Sequence, residues 1–236
     1  MRTLRRPSVT RFFAAAARRA WRIFLAMPAL LVLATLAAAP ASAGLTAKIV
    51  DASGKPVPDA VVYAIPTAGT RVPTRTPAGV AIEQRDREFS PYVTVIQTGT
   101  TVTFPNRDPL LHHVYSFSHV KTFEIKLYSG DAPRGILFDK PGTVTLGCNI
   151  HDWMIGYILV VDTPWFAKSD SEGMARIGDI GAGEFELHAW HPTQRTEAAA
   201  KPVRLDGRST TEVQFTLDAA PRKKRFKPPL DPVRYK

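Results

Sequence analysis

The chain has 236 residues, 31 of them Lys or Arg and 21 Asp or Glu, for a formal net charge of +10. Seven basic residues and no acid fall in residues 1–43, and residues 222–236 hold seven basic residues against one acid, so the stretch between carries about −3. The high charge therefore belongs to the two ends and argues against a basic folded surface of the nucleic-acid-binding kind. A single cysteine, Cys148, excludes an internal disulfide.

Residues 1–43 are expected to be an export signal. The seven arginines precede an apolar run from Ile23 to Ala39, and Ala41-Ser42-Ala43 supplies a small-residue cleavage signature. The run is interrupted by Pro28 and has about the length of a signal h-region rather than of a membrane span. The pairs Arg5-Arg6 and Arg18-Arg19 hint at a twin-arginine route, although neither lies in a good version of that motif. The expectation is an exported, periplasmic protein with no stable membrane span once the signal is removed.

From Leu45 the chain reads LTAKIVDASGKPVPDAVVYAIP. Leu45, Ala47 and Ile49 alternate with Thr46, Lys48 and Val50, and a second apolar run covers Ala60 to Ile65. With turn chemistry at Gly54-Lys55-Pro56, this predicts a hairpin-like pair of strands. Val72 to Gly79, VPTRTPAG, has the composition of a linker. FSPYVTVIQTGTTVTFPNRD then predicts two more strands, ending in a turn rich in Pro, Asn and Asp, with His112 and His113 just beyond it. In VTLGCNIHDWMIGYILVV, Val144 to Val161, period-2 patterns flank a short loop. AKSDSEGMARIGDIGAGEFELHAWHP and EVQFTL add further strands, and residues 219–236 form a basic, Pro-rich tail expected to be disordered. No long amphipathic helix follows the signal, so the predicted fold class is all-β.

The chemistry concentrates in the loop of Val144–Val161. Cys148, His151 and Met154 stand three residues apart and offer a soft thiolate, an imidazole and a thioether, a set that suits copper. A trigonal site needs one more imidazole, and either His112 or His113, just after the upstream turn, can supply it. The bland alternative is a buried cysteine acting as a small hydrophobe beside a core methionine. An exported protein, however, has reason to commit a free thiol to a metal. His188 and His191, in ELHAWHP, lack a third ligand and are expected to be structural; His119 is expected to be exposed.

Cys148-x2-His151-x2-Met154, together with FSPYVTVIQTGTTVTFPNRD, resembles the cupredoxins, and in loop length the amicyanin kind. The likeness places a copper domain at 81–163. It implies a Greek-key β-barrel holding one type 1 copper, with Cys148, His151 and one upstream histidine as strong ligands and Met154 axial. Leu111-His112-His113-Val114 matches the family's Pro-His-Asn-Val, which makes His112 the implied ligand, puts His113 where the family has an asparagine, and keeps His113 as the alternative. It further implies that His151 presents its ring edge at the surface as the electron port, inside an apolar patch of Leu110, Leu111, Trp153, Met154 and Ile155. Residues 45–67 and 165–218 resemble a carboxypeptidase regulatory-like (transthyretin-like) β-sandwich, either interrupted by the copper domain or flanking it. This two-part build is similar to exported methylamine-utilisation proteins, which implies a cytochrome or quinoprotein dehydrogenase as redox partner. Three strong ligands and one weak one leave no open position for substrate, so the expectation is electron transfer and not an enzyme. A copper carrier or storage protein, or a scaffolding β-protein whose sandwich does the binding, are the competing readings.

Overall fold

The computed structural model describes residues 44–67, 69, 72–73, 76–131 and 134–220. The expected signal at 1–43 and nearly all of the expected tail at 219–236 lie outside them. Among the described residues every regular element is a β-strand, as the period-2 patterns predict. The first two are β1 (Gly44–Asp51) and β2 (Val61–Pro66). Next come β3 (Val80–Ala81), β4 (Glu83–Arg85), β5 (Glu88–Ser90), β6 (Val93–Gln97), β7 (Thr100–Thr103), β8 (His112–Ser118), β9 (Lys121–Tyr128), β10 (Ile136–Phe138), β11 (Gly142–Gly147) and β12 (Ile155–Val161). The chain closes with β13 (Phe166–Lys168), β14 (Met174–Gly178), β15 (Gly183–Trp190), β16 (Lys201–Leu205) and β17 (Thr210–Leu217).

The hairpin expected of β1 and β2 does not form. The turn is present, since Asp51 N–H donates to the Lys55 carbonyl and Val57 N–H to that of Ile49. Beyond it the chain crosses to another layer. β1 lies between β14 and β17, whereas β2 lies in the sheet ordered β13-β2-β15-β16. The reason is burial. Both strands carry apolar side chains that must be covered, and two strands in facing sheets cover each other while two neighbours in one sheet do not. Leu45, Ala47 and Ile49 of β1 share one core with Val62 and Ala64 of β2, Trp165, Phe185, Leu187, Phe215 and Leu217. Residues at each end of the described chain thus fill a single interior. β1 runs parallel to β17 from Gly44↔Thr210 to Asp51↔Leu217. Buried Ser169 stitches the distant segments, accepting the Ala60 N–H at 2.9 Å and donating to the Val57 carbonyl at 2.8 Å.

Residues 80–161 build the other half, from the sheets β10-β7-β3 and β6-β12-β11-β8-β9 with the small hairpin β4-β5. Its core holds Phe89, Phe104, Phe138, Leu146, Ile158 and Val160, together with Cys148 and Met154. β12 is buried on both faces, as its unbroken run Tyr-Ile-Leu-Val-Val requires. Ile158 and Val160 enter this core. Leu159 and Val161 point the other way and meet Val61 and Val93, flanked by Tyr63, Phe166 and Trp190. That second cluster joins the two halves, and Lys168, paired with Asp59 of its own half at 2.7 Å, reaches across to donate to the Val93 carbonyl.

Candidate metal centre

Three strand ends converge at one edge of the half built by residues 80–161. β8 begins at His112, β11 ends at Gly147, and β12 begins at Ile155. β11 and β12 pair antiparallel as far as Gly147↔Ile155, so the loop 148–154 is the tip of a hairpin. Gly147 also pairs with Tyr115 of β8. A side chain at Gly147 would meet the Tyr115 ring at 2.6 Å, and glycine is what lets the two strands approach closely enough to place Cys148 near His112. A register shift between His112 and Val114 re-aims the start of β8.

The donor atoms of His112, Cys148 and His151 lie within 4.8 Å of one another, and all three residues are buried. Cys148 Sγ is 3.9 Å from His112 Nδ1 and 3.6 Å from His151 Nδ1. Metal–nitrogen and metal–sulfur bonds of about 2.1 and 2.3 Å at trigonal angles separate N from S by roughly 3.8 Å. The observed spacings straddle that value, so the trio fits around a single ion. Met154 is 1% exposed and packs in the same cluster as Cys148. Its N–H donates to the His151 carbonyl at 2.8 Å, which closes the loop into a tight turn.

Burial acts on the two loop donors in opposite senses, keeping the metal-free thiol protonated and the imidazole neutral. Burial holds the metal-free Cys148 thiol up, while the backbone N–H groups of His113, Ile150 and His151 aim at the sulfur and work against that rise. Burial, then the neighbouring His112 and Arg87, push His151 down to about 4, so its imidazole is neutral at ordinary pH. A neutral imidazole is the form that ligates. His112 Nε2 lies 2.7 Å from Asp108 Oδ2. Burial raises the Asp108 carboxyl, but hydrogen bonds from the Arg87 N–H, the His112 ring and the Asp86 N–H outweigh it and hold the group below its usual range.

Of the adjacent histidines, it is His112 that the structure brings to the sulfur. His113 bonds Glu124 through Nε2 at 2.8 Å and packs on the Tyr115 ring, outside the donor cluster. Its backbone N–H still reaches Cys148, so the main chain at this position ties the two ligand segments together.

The expected electron port differs. His151 is 0% exposed, because the Trp153 ring lies beside it at 5.3 Å and the Arg87 guanidinium covers Trp153 at 5.8 Å. Nor do the five residues expected around it form one exposed patch. Leu110 and Met154 are buried, Trp153 and Ile155 are half-buried, and Leu111 alone is strongly exposed. Asp108 and Arg87 were not among the expected site residues. Asp108 was visible only as part of the Asn-x-Asp turn, and nothing in the sequence placed Arg87 near Trp153.

The other histidines stay apart. His188 stacks on Tyr63 with centroids 5.1 Å apart. His191 is buried in the sandwich half with its own hydrogen-bond partners, and His119 is exposed. Among the described residues, His112, Cys148 and His151 form the group of three close donor atoms.

No protein-family model matches the chain, and no curated protein does. Several solved structures are similar to part of it. A purple cupredoxin from Nitrosopumilus maritimus is 22% identical with a TM-score of 0.32, covering 35% of this chain and 99% of that one. A copper-containing nitrite reductase from Thermus scotoductus SA-01 is 28% identical with a TM-score of 0.33, covering 41% of this chain but only 25% of its own. A reduced amicyanin variant is 19% identical with a TM-score of 0.33, covering 39% of this chain and 97% of that one.

Proposed function

We propose that this chain is an exported, periplasmic type 1 copper protein that passes single electrons to and from a redox partner, in the manner of a carrier module and not of an enzyme. The observation that carries the reading is the convergence of Cys148 Sγ with two histidine Nδ1 atoms at 3.6 and 3.9 Å inside an apolar core. His112, Cys148 and His151 would hold the ion, with Met154 as the weak axial donor. Copper held this way would supply a one-electron couple. The protein's part is to fix the donors before binding, exclude water and leave no position for substrate. Hydrogen bonds from three backbone N–H groups steady the sulfur, and the β11–β12 hairpin fixes the spacing of Cys148, His151 and Met154. The partner suggested by sequence resemblance is a cytochrome or quinoprotein dehydrogenase. We read residues 45–67 and 165–218 as a split carboxypeptidase regulatory-like sandwich around the copper domain, offering docking surface.

Anaerobic copper titration of the protein without residues 1–43, followed by visible absorption and electron-spin resonance, tests this reading. One equivalent of copper should bind and give an intense thiolate-to-copper band. Binding without that band, or no binding, would overturn it. A second reading, copper carriage without fast transfer, draws support from the burial of His151 beneath Trp153. Electron-exchange kinetics with a small redox protein separate the two.

A further inference from the structure

We infer that Asp108 is a positioning residue for the metal centre: it fixes the ligating tautomer of His112 and places a permanent negative charge one imidazole ring away from the ion. The inference rests on the copper reading and adds a specific source of control over the site.

The geometry leaves the Asp108 carboxylate little freedom. Its side chain is 9% exposed. Oδ1 accepts the Asp86 N–H at 2.7 Å, and Oδ2 accepts the Arg87 N–H at 2.8 Å and meets His112 Nε2 at 2.7 Å. The Asp108 N–H in turn donates to Asn106 Oδ1, whose own Nδ2 holds the Leu110 and Tyr128 carbonyls. An ionised carboxylate only accepts hydrogen bonds. The ring proton of neutral His112 must therefore sit on Nε2, which leaves the Nδ1 lone pair facing Cys148. Such outer partners orient a ligating imidazole and raise its basicity.

The anchoring turn shows that this arrangement is built at some cost. Asp86 and Arg87, at the tip of the β4-β5 hairpin, have φ of 54° and 58°. Non-glycine residues adopt the left-handed region only at a steric cost, and here two do so in succession. That conformation aims both N–H groups at Asp108 and places the Arg87 guanidinium over Trp153, which packs on His151. One hairpin tip thus touches the surroundings of both histidines.

A fixed negative charge near the site favours the more positive oxidation state. Asp108→Asn keeps an acceptor for Nε2–H but removes the charge. It should weaken copper(II) binding by about 10–100-fold and copper(I) binding clearly less, as measured by competition with chelators for each ion, so the reduction potential should rise. Asp108→Glu, which keeps the charge, should restore most of the ratio. Asp108→Ala should also redistribute the His112 ring proton in the metal-free protein, as read by imidazole nitrogen chemical shifts, while Asp108→Asn should not. If Asp108→Asn weakens both ions equally or neither, Asp108 is only an anchor for the turn and the inference fails. If unsubstituted protein shows no thiolate–copper band, it is the copper reading that fails. The nitrogen shifts of the metal-free protein still decide the tautomer: a proton on Nδ1 of His112 would overturn the role assigned to Asp108.

Discussion

Each half of the protein buries histidines, and the two halves solve that burial differently. In the sandwich half, His191 is 3% exposed. Its Nδ1 takes a hydrogen bond from the Thr193 N–H, the rest of the ring is matched by the Pro58 carbonyl, and its backbone N–H donates to Gln194 Oε1. In the half built by residues 80–161, His112 and His151 are each 0% exposed and turn a ring nitrogen toward the same sulfur. Burying a polar ring costs free energy unless it has a partner. The sandwich satisfies His191 with ordinary hydrogen-bond partners, Thr193 and Gln194 close by in sequence and Pro58 from a distant segment. The other half instead turns the donors of His112, Cys148 and His151 toward one another at spacings that suit a shared ion. Burial by itself does not mark a ligand; convergence does.

The largest expected effect falls on that contrast. Cys148→Ser should abolish the thiolate-to-copper band, while His191→Gln should leave it intact and lower only thermal stability. A band that survives Cys148→Ser would remove the distinction. Next, His112→Ala should destroy the site, while His113→Ala should keep copper bound with an altered potential or stability, since His113 meets Glu124 and not the sulfur. The reverse pattern in absorption spectra would move the ligand to His113.

Phe185→Ala probes the sandwich core without touching a donor. Phe185 is 1% exposed, and truncating a buried phenylalanine costs about 3–5 kcal/mol. Denaturant unfolding should show that loss. At low denaturant the copper spectrum should be unchanged; a changed spectrum would mean that the site depends on the sandwich through the Leu159–Val161 cluster.

Acidification of the metal-free protein separates the halves more gently. His151 is held near 4 in the fold, against an ordinary value near 6.5. The unfolded chain therefore takes up a proton as pH falls through 6.5, while the native state resists until about 4. Stability from this group is fully present above pH 6.5 and declines as pH falls toward 4. His191 is shifted in the same direction by burial. Thermal melts across this range should show a falling midpoint, less steep in His151→Gln. A midpoint independent of pH would contradict the assignment of neutral buried imidazoles.

The smallest spectral effect is expected at Trp153. Trp153→Glu replaces a half-buried ring that is not a ligand, so absorption should stay nearly unchanged. Electron exchange with a partner should slow if the partner approaches over His151. If exchange is untouched, entry lies elsewhere and carriage becomes the better reading. If the spectrum collapses, the ring is part of the packing that holds His151.

The sequence by itself determined the elements that depend on neighbours along the chain. Period-2 alternation made the fold all-β, because strand side chains alternate regardless of what lies across the sheet. Cys148, His151 and Met154 were legible as a donor set because a tight hairpin tip cannot separate residues three apart by much. Tertiary structure decided whatever depends on distant segments. β1 and β2 look like a hairpin, yet they part because the strands they pair with, β14 and β17 for one and β15 for the other, lie more than a hundred residues away. Adjacent His112 and His113 are equivalent donors on paper; a register shift at the start of β8 sends one to the sulfur and the other to Glu124. The exposure of His151 was misjudged because its cover, Trp153 under Arg87, depends on a turn some 65 residues upstream. Asp108 carried no signal beyond a turn, since a carboxylate becomes a ligand's partner only when folding places His112 Nε2 at 2.7 Å.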